Sequence, residues 1–480
     1  MSQSRPKGEL AIVLHTHMPY VEGFGTWPFG EEWLWEAISG SYLPLLELLD
    51  EGAPLTLSLT PVLCDQLEAQ GVGERFETFV EEVRRRTHAE DIAGLRENGF
   101  DELARELERS WGEYEGVLQR FRERGGDLLG ALGRHAQWTS SATHAVLPLL
   151  ATDAGVRAQV QAGVDSHRAR FGSDWQGGFW LPECAHAPHL EPLLEQAGVH
   201  ATCVELTNSY GLGAREHLRP LVGESGVVLV PIDRVTIAHV WSDGGYPAHG
   251  SYRDYHHHTV HHHQPWANDG SVYDHELATG LAGQHAKEFV AATIERLRVA
   301  NETAEGGDSL PGGGLAVCAL DTELLGHWWY EGVTWLRAVV EECAREGLKL
   351  VRLDEATAMA RPAPLDAPEW AASTWGTGGD LSTWSGPAVA DIAFATRAAE
   401  LKTLAAGREA GGAALRELLA LQASDWAFMV SRGLAVPYAQ ERFANHQAEF
   451  EKALAVGPDA DLSALRNLAA HADPLALLAP

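Results

Sequence analysis

Short apolar runs that alternate with helical segments constrain this chain most, because several of them end in a residue capable of chemistry. Leu10–Leu14 is a continuous apolar run with β-branched residues, and it leads directly into His15. Gly314–Leu320 is a similar run that leads into Asp321. Runs of this length and composition are typical of buried parallel strands, and helical patterns separate them here. The order of strand, helix and strand predicts an α/β fold built on a parallel sheet.

Histidines at two strand ends predict a site at one edge of that sheet, because ligands bind at the carboxyl ends of parallel strands. His15 and His17 are two residues apart on an extended chain and therefore point to the same side. His144 ends another strand pattern, Trp138–His144. The two nearby histidines also have two other interpretations, a hydrogen-bonded structural pair and a pair of metal ligands.

Two carboxylates lie beside aromatic residues at further strand ends. Glu183 follows Pro182 in the stretch Gly177–His186, and Asp321 precedes a pair of tryptophans. Such surroundings give a carboxylate a fixed position and a low dielectric constant. Glycoside cleavage needs two carboxyl groups that flank one bond. The pattern therefore favours glycoside chemistry, and a solvated loop glutamate is the alternative interpretation for Glu183.

The charge balance limits the partners of this protein. Lysine and arginine total 36 against 67 aspartate and glutamate residues, which gives a net charge of −31. Phosphate-rich partners would be repelled, so we expect no nucleic-acid and no anionic-membrane partner. The sixteen tryptophans suit stacking on neutral sugar rings as well as core packing. The sequence gives no indication of an oligomeric state.

Cysteine use and the N-terminal sequence predict a cytoplasmic protein. The five cysteines are scattered and form no C-x-x-C pair, so neither a zinc ribbon nor a disulfide framework is expected. Residues 1–8 are polar and lack the apolar region of a signal peptide. No apolar run approaches the ~18 residues that a membrane span requires.

The chain divides into two predicted domains where its composition shifts near Arg361–Pro364. Residues 1–360 are expected to form the catalytic domain, with a helical insertion at about 70–130 and a covering loop at about 233–274. Residues 361–480 are expected to be α-helical, including one helix over Ala413–Ser431. The histidine run at 256–263 resembles a metal tract, but it lacks interleaved acidic or cysteine ligands, which favours a solvated loop.

Five motifs in order along the chain resemble glycoside hydrolase family 57, and within it the 1,4-α-glucan branching enzymes. They are His15–Tyr20, Gly178–Cys184, Asp321–Trp329, Trp375–Gly379 and Ser424–Trp426. The resemblance implies a (β/α)7 barrel with a helical C-terminal domain that closes the cleft. It also implies a retaining mechanism on α-glucan, with no metal or other cofactor. The segment after Tyr246 departs from the family pattern, because it is shorter and carries the histidine run.

The resemblance also assigns roles to individual residues. Glu183 matches the nucleophile and Asp321 the general acid/base, with their carboxyl groups expected ~5–5.5 Å apart. The matched motifs imply these substrate-binding residues: His15, His17, His144, Trp180, Tyr246, His327, Trp328, Trp375, Trp384 and Asp425. Tyr246 is expected to shield the covalent intermediate from water. Neighbouring aromatics should raise the pKa of Asp321, while His186 and the strand-end histidines should keep Glu183 ionised.

Four alternatives to branching remain at this point. The same family chemistry gives an α-amylase if water accepts the glucan chain, and a 4-α-glucanotransferase if a 4-hydroxyl accepts it. His15, His17 and a carboxylate would instead serve a metal-dependent hydrolase, as in deacetylases on similar barrels. A non-catalytic glycan-binding module is the fourth alternative, and the presence of both carboxylates argues against it.

Overall fold

A ring of parallel strands forms the centre of the molecule. The computed structural model describes residues 7–25, 29–302, 309–365, 372–462 and 466–478. Within them, seven parallel strands pair in the order β7-β1-β2-β3-β4-β5-β6. They are β1 (Glu9–Thr16), β2 (Thr56–Leu59), β3 (Ala136–Ser140), β4 (Gly178–Trp180), β5 (Ala201–Val204), β6 (Val228–Pro231) and β7 (Leu315–Asp321). After β6, the Asp233 N–H donates to Val317 O of β7 at 2.9 Å and brings the two ends of the sheet together.

The predicted (β/α)7 fold class is therefore confirmed. Three two-residue strands extend the sheet. Leu221–Val222 runs antiparallel to β6 and pairs with Ala363–Pro364, while Lys349–Leu350 pairs with β1. The strand Lys349–Leu350 is short, because a helix begins at Leu353.

Helices surround the ring and form the two helical regions. The α-helices are Glu31–Ala37, Leu43–Asp50, Pro61–Leu67, Val72–Thr78, Arg85–Glu97, Asp101–Glu123, Leu128–Gly133, Asp153–Phe171, Glu191–Gln196, Thr207–Tyr210, Arg234–Ala238, His275–Glu302, Gly332–Glu346, Leu353–Met359, Ser382–Ser385, Ala390–Ala406, Gly411–Leu421, Ser424–Arg432 and Val436–Val456, and π-helical turns span Ile38–Tyr42 and Phe79–Arg84. Across the described ranges, none of the helices has both the length and the apolar character needed to cross a bilayer.

Burial explains why the apolar runs became strands. All five side chains of Leu10–Leu14 are completely buried, so β1 is covered on both faces as a central parallel strand must be. The register then sets the position of the site. His15 of β1 lies opposite Asp321 of β7 on one side and opposite Ser58 of β2 on the other. The chemistry-bearing residues thus meet at the carboxyl edge of the ring.

The insertion and the covering loop contact each other. The helix Asp101–Glu123 buries an apolar stripe that includes Leu103, Leu107 and Phe121, as its amphipathic sequence requires. The histidine run packs partly against this insertion instead of being wholly solvated. His256–His258 are exposed, whereas His263 is buried and its ring lies tilted against that of His88, with centroids 3.7 Å apart. The solvated-loop prediction is therefore wrong for the end of the run.

The C-terminal region is helical, but the helix expected over Ala413–Ser431 is broken at Gln422 and Ala423. Contacts with the barrel account for the break. The Gln422 side chain accepts a hydrogen bond from Gln159 Nε2 at 2.9 Å, and Ala423 forms an antiparallel bridge with Ala145. A new helix then begins at Ser424, beside the carboxyl edge of the strands. Residues 1–6 and 479–480 of the two predicted domains lie outside the described residues.

Candidate active site

Glu183 is fixed by its backbone and by both of its carboxylate oxygens. It sits in a turn after β4 with φ 60° and ψ 21°, a left-handed conformation that few non-glycine residues adopt. Its Oε1 accepts a hydrogen bond from Ser424 Oγ at 2.9 Å, and its Oε2 accepts one from Trp375 Nε1 at 3.1 Å. Two residues from the C-terminal region therefore orient a carboxylate that the barrel carries.

Asp321 ends β7 in a setting that disfavours its charge. Burial raises its pKa well above the ordinary value, and the charges of Glu323 and Glu183 raise it further, with His17 opposing. The raised pKa favours the protonated form of Asp321, which is the form that a general acid needs.

Burial also raises the pKa of Glu183, but the hydrogen bonds from Trp375 and Ser424 oppose this shift, and so does His17. These two donors stabilise the ionised form of Glu183. The two carboxyl groups therefore have different surroundings: one accepts fixed hydrogen bonds and the other faces like charges. Such a difference separates a nucleophile from an acid.

The predicted strand-end histidines form one stacked group with Trp180. His15 Nε2 and His144 Nε2 are 2.9 Å apart, and the His15 ring stacks on Trp180 with centroids 4.8 Å apart. His144 also has a left-handed backbone, with φ 61°, and its Nδ1 is 2.8 Å from Ser424 Oγ. Burial, together with neighbouring histidines, lowers the pKa of both His15 and His144 well below the usual range, so both are neutral.

His17 differs from the other two histidines. Burial lowers its pKa, but the charge of Asp425 and a hydrogen bond to it raise it more, and the net shift is upward. Its Nε2 is 2.9 Å from Asp425 Oδ1 and its ring stacks on His144 at 3.8 Å. Asp425 therefore favours the cationic form of His17, whereas burial favours the neutral form of the other two histidines.

His186 does not serve Glu183 as expected. Although it is three residues away in sequence, its Nε2 lies 3.3 Å from Glu191 Oε1, and burial lowers its pKa. The groups that support the ionised form of Glu183 are Trp375, Ser424 and His17 instead. Glu183 and Cys184 both have a left-handed backbone, and two residues later His186 forms an antiparallel bridge with Ser373.

Sequence reasoning missed two polar groups of the site. Ser424 is hydrogen-bonded to both Glu183 and His144, although only its neighbour Asp425 is among the predicted substrate-binding residues. Glu323 is buried and accepts hydrogen bonds from Tyr42 OH at 2.6 Å and from the His17 N–H at 3.2 Å. Burial raises the pKa of Glu323 to about 7. The signals available were the positions of Ser424 and Glu323 inside two of the matched motifs.

Four of the predicted substrate-binding residues lie apart from this group. Tyr246 stacks on His285 with centroids 4.4 Å apart. Trp384 is 3% exposed and packs in a small apolar cluster beneath Gly376, so it offers little open face for stacking. His327 is in ring contact with Tyr255, whereas Trp328 is exposed and meets Trp241 edge-on at 6.2 Å. The Trp241–Trp328 pair is the more open aromatic surface.

His17, His144 and Asp425 offer ligand atoms that lie within 4.8 Å of one another, a spacing that a metal ion could use. These groups already have partners of their own. His17 Nε2 is hydrogen-bonded to Asp425, and the two ring nitrogens of His144 meet His15 and Ser424. The cluster is therefore satisfied as a hydrogen-bonded network.

Comparison with known proteins identifies relatives along nearly the whole chain. Residues 11–366 match the model of glycosyl hydrolase family 57, and residues 391–474 match that of the 1,4-alpha-glucan branching enzyme C-terminal region. A 1,4-alpha-glucan branching enzyme of Thermococcus kodakarensis is 32% identical over 93% of this chain and 73% of its own length. A probable 1,4-alpha-glucan branching enzyme of Mycobacterium tuberculosis is also 32% identical, covering 95% and 94%.

A solved structure agrees with these sequence matches. The GH57-type branching enzyme of Pyrococcus horikoshii superposes with a TM-score of 0.85 at 31% identity, covering 93% of this chain and 90% of that one. The similarity thus extends through both the barrel and the C-terminal helices.

Proposed function

This chain belongs to glycosyl hydrolase family 57, and from that premise we propose that it is a 1,4-α-glucan branching enzyme. One observation carries the proposal. The region that matches the branching-enzyme C-terminal model, residues 391–474, contributes Ser424 and Asp425 to the group around Glu183. The part of the chain most closely tied to branching relatives thus contacts the proposed nucleophile directly.

We assign the two carboxyl groups to a double displacement. Glu183 attacks the anomeric carbon of an α-1,4-linked glucosyl unit while Asp321 gives its proton to the departing 4-oxygen. A 6-hydroxyl of another chain then gives its proton to Asp321 and attacks the glycosyl–Glu183 ester, which forms an α-1,6 bond and frees Glu183. The hydrogen bonds from Ser424 and Trp375 support Glu183 in the anionic form, and the raised pKa of Asp321 supports its role as the acid.

The remaining predicted residues bind the glucan in this proposal. His15, His17, His144 and Asp425 hold the glucosyl unit next to Glu183, and Trp180 and Trp375 flank it. His327, Trp328 and Tyr246 line the cleft beyond the reacting bond, while Trp384 supports the loop at Gly376 from below. The domain limits near residue 360 remain part of the same proposal.

Incubation with amylose tests the function. Branching predicts new α-1,6 linkages, detected by debranching followed by chain-length analysis, with little gain in reducing ends. A rise in reducing ends without α-1,6 linkages would identify an α-amylase. Redistribution of α-1,4 chains alone would identify a 4-α-glucanotransferase.

The metal-dependent alternative has its own test at His17, His144 and Asp425. Elemental analysis of the purified protein should find no stoichiometric divalent metal, and a chelator should leave branching unchanged. A bound metal whose removal abolishes activity would favour the metal-dependent hydrolase.

A further inference from the structure

A cavity of about 300 Å³ lies between the helical insertion, the helix Glu31–Ala37 and the histidine run. This volume is at the small end of the ~300–1,000 Å³ typical of small-molecule pockets. Its lining includes Gly326 and His327, which follow Asp321 along the chain, together with His256 and His258 of the histidine run. Glu183 and Asp321 are not part of its lining, and His327 is the one lining residue that the proposed function also places in the glucan cleft.

A thin wall divides this cavity from the catalytic group. Gly40 and Gly326 approach so closely that a Cβ atom on Gly40 would lie 2.7 Å from Gly326 O. Gly40 belongs to the same π-helical turn as Tyr42, whose hydroxyl donates to Glu323 beside Asp321. The cavity therefore shares its wall with the loop that carries the proposed general acid.

The charged groups of the cavity are already paired. Arg84 donates to Glu36 Oε1 at 2.6 Å, to Glu32 Oε1 at 2.8 Å and to His261 O at 3.0 Å. Arg253 bonds Glu106 at 2.6 Å and lies over the Tyr330 ring at 3.6 Å. Because both guanidinium groups are engaged by carboxylates, the cavity is poorly suited to a phosphate. A neutral polar ligand fits it better.

One buried acceptor in the lining has no partner. Glu32 is 4% exposed, and its Oε2 meets no hydrogen-bond donor among the described residues, although its other oxygen is held by Arg84. A buried polar oxygen of this kind is costly unless a ligand or water supplies a donor. Tyr114 and Tyr255 add aromatic surface to the same lining. Hydroxyl groups on a ring with apolar faces would meet both features.

We propose that this cavity is a second glucan-binding site, which takes a terminal or near-terminal glucosyl unit of an α-glucan chain. The inference rests on the proposed function for the identity of the sugar. The Glu32 carboxyl group forms a hydrogen bond with a sugar hydroxyl at Oε2, and the exposed His256 and His258 form the mouth. The segment that departs from the family pattern thus holds a chain close to the loop of Asp321.

Maltotriose binding to the full-length Glu183→Gln protein tests the proposal without turnover. Calorimetric titration should find two maltotriose molecules per chain. Adding Ser110→Phe, which fills the cavity from the helix Asp101–Glu123, should leave one. One molecule in both proteins, two in both, or none would overturn the proposal. Circular dichroism checks that Ser110→Phe is folded.

A second variant decides the question if Ser110→Phe does not fold. The double change His256→Ala and His258→Ala, in the same Glu183→Gln background, should weaken binding at the second site about ten-fold, the value of a lost hydrogen bond to a polar group. His257→Ala is the matched control, because this ring stacks on Trp266 outside the cavity, and it should retain both sites. Equal affinity in the double variant and the control would overturn the proposal.

The linkage analysis on wild-type protein separates this inference from the function itself. If wild-type protein forms α-1,6 bonds but binds a single maltotriose, the function stands and the second site is rejected. If two maltotriose molecules bind and Ser110→Phe removes one while no α-1,6 bonds form, the cavity stands and the branching assignment is rejected.

Discussion

The catalytic group and the cavity behind it both place carboxylates beside aromatic rings, yet the carboxylates of the cavity are paired with arginines, whereas Glu183 is held by neutral donors. At the cavity, Arg253 and Arg109 hold the pKa of the half-buried Glu113 below its usual range, whereas Arg84 does not outweigh burial at Glu32, whose pKa rises to about 8. In the catalytic group, Asp321 faces the like charges of Glu323 and Glu183, and its pKa is raised well above the usual range. Glu183 is held by an indole N–H and a hydroxyl instead of a guanidinium.

The difference shows how one fold separates binding from proton transfer. A carboxylate whose arginine partners outweigh burial, as at Glu113, stays ionised and can position a ligand, but it does not exchange a proton near neutral pH. A buried carboxylate without such a cation keeps its proton or is stabilised by neutral donors, which is what double displacement requires. The four predictions that follow test this contrast, from the largest expected effect to the smallest.

Glu183→Gln should lower branching activity by about 10⁴-fold or more, because the glutamine amide cannot form the glycosyl ester. Maltotriose affinity should remain nearly that of the wild type, since the side chain keeps its size. Initial rates on amylose and calorimetric binding measure the two quantities. Wild-type turnover in this variant would end the assignment of the nucleophile.

Asp321→Asn should lower activity on amylose by roughly 10²- to 10⁴-fold, the usual value of general acid–base catalysis. Turnover of α-maltosyl fluoride should fall much less, because fluoride departs with little protonation. The ratio of the two rates measures the effect. Equal losses on both substrates would show that Asp321 does not act on the leaving group.

Arg253→Met should destabilise the fold by about 3–5 kcal/mol, because it removes the buried positive charge that stabilises the carboxylates of Glu106 and Glu113. Arg105→Met is the matched control, since Arg105 is exposed and pairs with Glu102 on the same helix, where ~0–1 kcal/mol is expected. Denaturant titration compares them. A small effect in Arg253→Met would remove the distinction between the two regions.

Ser424→Ala should lower kcat/KM about ten-fold and shift its pH profile. The Ser424 hydroxyl lowers the pKa of Glu183, so its loss raises that pKa and moves the acid limb of the profile to higher pH. The alkaline limb, which reflects Asp321, should stay in place. A loss of rate with an unchanged acid limb would indicate that Ser424 has a structural role.

Local sequence was sufficient to predict the barrel strands and the residues at which they end. The apolar runs before His15 and Asp321 are short and uninterrupted, and strand order alone brings their ends to one edge. The position of Ser424 was not predictable in the same way. It depends on the helix break at Gln422 and Ala423. Contacts with barrel residues about 260 positions away in sequence impose this break.

The predicted partner of His186, Glu183, is wrong for a related reason. Proximity in sequence suggested Glu183, but Glu183 and Cys184 have a left-handed backbone that no local pattern predicts, and His186 meets Glu191. The cavity was also beyond sequence reasoning, because its walls come from the helix Glu31–Ala37, the insertion and the histidine run. Pairing between such distant segments is a tertiary property without a local pattern.

The left-handed backbone at Glu183 and His144 has a consequence for directed evolution of this protein. A side chain other than glycine costs about 1–2 kcal/mol in that conformation. At these two positions, a library screened only for heat resistance should therefore enrich glycine or asparagine, each of which relieves the backbone and removes a site residue. Selection for heat resistance and selection for catalytic activity therefore favour different residues at positions 183 and 144. An engineering campaign that seeks a hardier enzyme should keep both codons fixed from the first round.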